Sequence, residues 1–141
     1  MRLRIYDDDG RDVVLMDHDR PEEFIGSVMT LGEDRAIQLA ERLRADEVEP
    51  FFRGNAQCRR TLNVWRRHET NTKAALFVEE HRSEVPGVGT AELRFNDGGS
   101  SFTRYFTKVA VARVELQRRI GVATHWRYDM IFTGITNRRP N

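Results

Sequence analysis

The stretch QRRIGVATHWRYDMIFTG, Gln117 to Gly134, limits the folds open to this chain more than any other. Val122, Thr124, Trp126, Tyr128, Met130 and Phe132 fall on one side of an alternating pattern, and Ala123, His125, Arg127 and Asp129 on the other, with Ile131 the exception. Successive side chains of a strand point to opposite faces, so the pattern predicts one long β-strand with a fat face for a core and a charged face turned away from it. Such a strand needs neighbours to pair with and a layer to cover its apolar side.

The remaining sequence supplies both. FTRYFTKVAVARVELQR, from Phe102, reads as a second long strand whose alternation slips between Ala110 and Arg113, as a β-bulge would make it do. Ile120-Gly121 turns it into the final strand. NDGGSS, Asn96 to Ser101, is the strongest hairpin signal in the chain and joins it to GTAELRF. At the N-terminus Leu3 and Ile5 alternate with Arg2, Arg4 and Tyr6, Asp9-Gly10 makes a turn, and DVVLM returns as a strand. EFIGSVMTL and CRRTLNVWRR add two more, the latter with Leu62 and Val64 on one face. One segment has clear helical spacing: Ala74, Phe77, Val78 and His81 fall at i, i+3, i+4 and i+7. Thr70, Asn71 or Thr72 can cap it, and Pro86-Gly87 ends it, which predicts a helix over about residues 71–83. Residues 33–46 favour helix by composition, with a partner-ordered arm as the alternative reading. The expected fold is α+β and mainly antiparallel: a β-sandwich or partly open barrel with one flanking helix, as a single domain over residues 1–141.

Composition narrows the function classes. The chain has 23 basic and 22 acidic residues, a net charge of +1, so no overall basic footprint for nucleic acid exists. Lys73 and Lys108 are the only lysines, and arginine suits planar interface contacts. Cys58, the only cysteine, excludes an internal disulfide and a cysteine zinc site, and it suits a reducing compartment. No stretch reaches the ~20 apolar residues of a membrane-spanning helix.

A search for chemistry finds little. An EF-hand loop with its glycine at Gly10 would need oxygen ligands at Ile5 and Met16, so Asp7, Asp8 and Asp9 are read as turn residues. Asp17, His18 and Asp19 read as a polar loop. His68 and His81 are not at ligand spacing, and His81 continues the apolar stripe. His125 belongs to the polar face. GVGTAE from Gly87 lacks the third glycine of a dinucleotide fingerprint. Cys58 between Gln57 and Arg59 reads as an inert thiol. Four arginine pairs, Arg59-Arg60, Arg66-Arg67, Arg118-Arg119 and Arg138-Arg139, lie among aromatics but are scattered and balanced by acids. They are read as solvated or subunit-facing surface rather than a nucleic-acid groove. No catalytic, cofactor-binding or metal residue is assigned.

From Phe52 onward, FRGNAQCRRTLNVWRRHETNTKAALFVEEHRSEVPGVGTAELRF and the closing VAVARVELQRRIGVATHWRYDMIFTG resemble small phage and prophage tail-associated proteins, and the order of elements is similar to that of tail-tube and related tail proteins. The resemblance covers about two-thirds of the chain, and its motifs are structural. It implies a virion component that assembles in the bacterial host cytoplasm into rings or tubes, or joins other tail proteins. It implies homo-oligomerisation, no catalysis, no cofactor, no membrane, and nucleic acid met only indirectly, in passage through a lumen. The N-terminal hairpin, the Glu33–Glu49 segment and the 96–101 hairpin tip are the candidate contact regions. A β-rich binding module, for carbohydrate or another ligand, is the alternative; it requires Trp65, Trp126 and Tyr128 to be exposed stacking platforms. A small enzyme using Cys58 or a histidine requires instead a concave pocket around a perturbed group.

Overall fold

The structure is a computed structural model that describes residues 1–31, 57–97, 100–136 and 138–139. Within them the chain forms strands β1 (Arg2–Tyr6), β2 (Asp12–Asp17), β3 (Phe24–Leu31) and β4 (Gln57–Arg67), helix α1 (Asn71–Glu84), and strands β5 (Val88–Asp97), β6 (Ser100–Ile120) and β7 (Ala123–Thr136). All seven strands belong to one sheet in the order β2-β1-β5-β6-β7-β4-β3, antiparallel at every step. The α+β, mainly antiparallel class expected from the sequence is what forms, and the sheet is open. The 33–46 segment lies outside the described residues.

β2 and β3 are consecutive in sequence, joined by residues 18–23, yet they occupy the two opposite edges of the sheet. In a flat sheet the edges would stand about 29 Å apart, six spacings of about 4.8 Å. A link this short, which also turns, brings them together only if the sheet curls. It does: His18 Nε2, just past β2, lies 2.8 Å from Ser27 Oγ on β3. No strand pairing joins the two edges, so the curl is a partly open barrel made from one sheet, not two sheets facing each other.

The inside of the curl holds the core. Leu3, Ile5, Leu15 and Met16 from one side meet Phe24, Leu62 and Val64 from the other, with Ala91, Leu93, Phe95, Phe106, Val109, Trp126, Tyr128, Met130 and Phe132 between them. The alternation of β7 is kept as read: Thr124, Trp126, Tyr128, Met130 and Phe132 are buried, and His125, Arg127, Asp129 and Ile131 are not. The phase slip in β6 is a bulge between Val111 and Arg113, followed by a second between Leu116 and Arg118. Gly121, at φ 57°, carries the turn into β7, a left-handed conformation that favours glycine.

The N-terminal hairpin closes through a wider turn than Asp9-Gly10 alone. Asp7 Oδ1 accepts from the backbone N–H of Asp9 and Arg11, at 3.1 and 2.8 Å, and Gly10 takes φ 91°. The carboxylate is spent on its own turn, as the solvated-turn reading required. β5 and β6 pair as far as Asp97 and Ser100, which leaves two residues for the tip, itself outside the described residues. α1 begins at Thr70, whose hydroxyl accepts from the Lys73 N–H at 3.1 Å, and stops at Val85, where the backbone turns extended. It lays Ala74, Phe77, Val78 and His81 into the curl, the stripe read from the sequence.

Candidate functional site

Two polar constellations flank the middle of the sheet, one on each side; a third, on the N-terminal strands, pairs Arg2 and Arg4 with the buried Glu92 and Arg4 with Asp12. The inner one forms where α1 meets β4 and β7. His81 is fully buried, with Nε2 2.5 Å from the Tyr128 hydroxyl, and its ring stacks on Phe77 at 4.3 Å and stands edge-on to Trp126 at 4.8 Å. Trp126 donates its indole N–H to Thr124 Oγ1, 3.0 Å away, and the same hydroxyl lies 2.9 Å from His68 Nε2. The Arg66 guanidinium lies between two rings, 4.6 Å from the Phe24 centroid and 4.5 Å from Phe77, and donates to Glu23 Oε1 at 2.6 Å. Glu23 also pairs with Arg20.

Burial governs the titration of this cluster. It holds His81 down at about 3, with the charges of Arg66 and His68 acting in the same direction. It raises Tyr128 to a value far above the ordinary phenol, against the opposing effect of Arg66. Arg66 and His68 are also lowered by burial. A neutral imidazole and a neutral phenol packed among rings form a hydrogen-bonded core pair, with His81 Nδ1 left without a hydrogen-bond partner among the described residues. Among the depressions of the described surface, one is lined by Arg82, Val85, Pro86, Val111 and Glu115, another by Glu22, Glu23, Arg67, His68, Glu69 and Lys73, and a third, on the outer face, by Arg59, Thr61, Arg127 and Asp129. The most strongly perturbed group, His81, sits in packing, while His68, which burial also holds below the usual histidine range, lines one of these depressions. Among the described residues no group of three His, Cys, Asp or Glu side chains is placed to hold a metal ion. Asp17 Oδ1 caps the N–H of Asp19 at 3.0 Å, and His18 is used on Ser27. Cys58 is placed in β4 by its backbone; its side chain lies outside the description.

The outer constellation is the convex face of β4, β7 and β6. Cross-strand register sets Trp65 beside His125 beside Arg118, Asn63 beside Arg127 beside Glu115, and Thr61 beside Asp129 beside Arg113. The Trp65 and His125 rings stack at 4.2 Å and 14°, and His125 Nε2 is 3.1 Å from Asn63 Oδ1. In the middle of the face the charges close on themselves: Asp129 takes Arg113 at 3.3 Å, Arg127 at 3.3 Å and the Thr61 hydroxyl at 2.9 Å, and Glu115 takes Arg113 at 3.4 Å. Arg59, Arg67, Lys108 and Arg118 stand exposed around this lattice, and none has an ion-pair or side-chain hydrogen-bond partner among the described residues.

The three-ring platform required by the binding-module reading does not exist. Trp126 and Tyr128 are each 1% exposed, because both fall on the core face of β7; only Trp65, at 37%, reaches solvent. Sequence reasoning also missed Arg66. Its place among alternating β4 residues assigns it to the inner face, but nothing local announces the two rings that receive it.

Comparison with known protein families, with curated proteins and with solved structures finds no match to this chain.

Proposed function

We propose that this chain is a structural component of a phage or phage-like tail, acting by self-assembly into rings or tubes or by joining other tail proteins, without catalysis. The proposal starts from the sequence resemblance and is supported by one observation, the state of the β3 edge. Edge strands present unpaired N–H and C=O groups, and monomeric proteins guard them with charges, proline or strong bulges. β3 has no charged residue from Phe24 to Leu31, and its described guard is one irregularity between Phe24 and Gly26. It exposes Ile25 and Val28, each 51% accessible, beside Trp65 on the neighbouring strand. A subunit that completes its sheet against a second copy or another tail protein has a use for such an edge. The place of action that follows is the virion tail, built in the bacterial host cytoplasm.

Light scattering behind size exclusion, with negative-stain microscopy of every peak, tests this. Rings, tubes or a defined oligomer are expected at micromolar concentration, or in the presence of co-expressed tail proteins. A monomer at every concentration that also fails to enter particles when co-expressed removes the proposal. Deleting Glu33–Glu49, which lies outside the described residues, should block assembly and keep the fold.

A further inference from the structure

The arginine pairs look scattered in the sequence, but the register of the sheet sorts the three that lie in its strands. Arg60 and Arg66 point inward, Arg60 6% exposed and Arg66 clamped between rings. Their neighbours Arg59 and Arg67 point outward and are exposed, and Arg118 and Lys108 face the same way from β6, Arg118 opposite His125 and Lys108 opposite Thr133. A chain of net charge +1 thereby gathers on one face four cations without a partner among the described residues. The two carboxylates on that stretch, Glu115 and Asp129, are already matched by Arg113 and Arg127. Among the described residues the uncompensated charge of this stretch is positive; Arg67, at its end, also lines a depression with Glu22, Glu23 and Glu69.

The same face offers an aromatic plane. One side of the Trp65 indole is covered by His125. On the other side stands Gly26, where a Cβ would come 3.6 Å from the indole Cε3. With no side chain there, nothing from position 26 covers that side of the ring, and Trp65 is 37% exposed. The row therefore runs from the part-exposed indole through His125 to Arg118. Unpaired cations that neutralise phosphates, around an aromatic on which a base can stack, are the two elements of sequence-tolerant single-strand binding. A duplex keeps its bases stacked inside and would leave the indole unused.

We infer that the outer face of β4, β7 and β6 binds single-stranded nucleic acid, with Arg59, Arg67, Lys108 and Arg118 on phosphates and Trp65 stacked on a base. The face is complete in one copy, so the inference does not depend on the assembly reading. It makes the contact with nucleic acid direct rather than passive.

The test is fluorescence anisotropy of a labelled 20-nucleotide oligothymidylate titrated with the purified chain across a salt series, with indole fluorescence followed in parallel. Four phosphate contacts give a log–log salt slope of about −3, so affinity falls about fiftyfold between 50 and 200 mM salt. The Arg59→Ser/Arg118→Ser variant should halve that slope. Because Trp126 is buried, quenching on binding should vanish in Trp65→Leu. Gly26→Leu, which keeps Trp65 and covers the side of its ring that faces position 26, should weaken binding at least threefold, and unchanged circular dichroism shows that each variant is folded. No binding at 50 mM salt overturns the inference. So does a slope unmoved by the arginine variant. Equal affinity for dextran sulfate, with no response to Trp65→Leu or Gly26→Leu, would assign the face to polyanions in general and overturn it too.

Discussion

The Tyr128 hydroxyl lies 2.5 Å from His81 Nε2, and this one hydrogen bond ties α1 to β7 across the most buried part of the curl. His81 Nδ1 has no hydrogen-bond partner among the described residues; the Glu84 carboxylate stands 3.8 Å away. Removing the phenol oxygen leaves both ring nitrogens without one. Tyr128→Phe should therefore destabilise the fold by about 1–3 kcal/mol, the cost of an unsatisfied buried polar group. His81→Leu with Tyr128→Phe removes both partners and should cost less than the two single changes added together, as urea unfolding of the four proteins would reveal.

Acid should act through the same imidazole. The unfolded chain takes up a proton on His81 near 6.5, whereas the folded chain does so only at about 3. Between those values the unfolded state binds more protons, so stability rises with pH and is lost as pH falls. His81 alone should remove about 2 kcal/mol between pH 7.5 and pH 5. His18, His68 and His125, each also lowered, push in the same direction. Unfolding curves at the two pH values, with His81→Leu as the control that flattens the difference, check this.

Arg66 fills a planar slot between Phe24 and Phe77. Lysine keeps the charge but cannot stack or reach Glu23 with the same fork. Arg66→Lys should cost at least 1 kcal/mol and Arg66→Ala about 3 kcal/mol, since the latter also empties the slot between the two rings. Because Phe24 opens β3, protease cleavage after residues of β3 should rise in both variants before global unfolding does.

Two glycines make opposite predictions. A Cβ on Gly89 would fall 2.4 Å from the Tyr6 carbonyl oxygen, a backbone atom that cannot step aside without moving β1. Gly89→Ala should cost about 1–3 kcal/mol. At Gly26 the added Cβ makes ordinary contact with a side chain, and Gly26→Ala should be neutral within about 0.5 kcal/mol by thermal melt.

Charging the β3 edge should separate folding from assembly. Ile25→Lys with Val28→Lys adds two charges at positions that are 51% exposed in one copy. Oligomers seen by light scattering should dissociate while the melting temperature moves by no more than a few degrees.

The elements themselves were legible because each is set by local periodicity. Thr124 to Phe132, the α1 stripe from Ala74 to His81 and the slip near Val111 all appear in the structure where the spacing puts them. Sheet order was not legible. Alternation says that Asn63 and Trp65 share a face, but only cross-strand register places Arg127 and His125 beside them, about sixty positions away. The same limit hid the sorting of the arginine pairs: each looks like one solvated dipeptide until the partner strand reveals which member goes in. Trp126 and Tyr128 were assignable to the fat face of β7, yet an aromatic read as a binding platform and one read as core have the same spacing, and only the covering helix decides between them.

Leu3 pairs with Leu93, so the strand nearest the start of the chain finds its central neighbour only after ninety further residues exist. During synthesis the β1–β2 hairpin must wait on the ribosome with Leu3, Ile5 and Leu15 unburied, and refolding must close one of the longest loops the chain allows before that pairing stabilises anything. The β5–β6–β7 meander, built from neighbours, can form first and act as the template to which the N-terminal hairpin is added last.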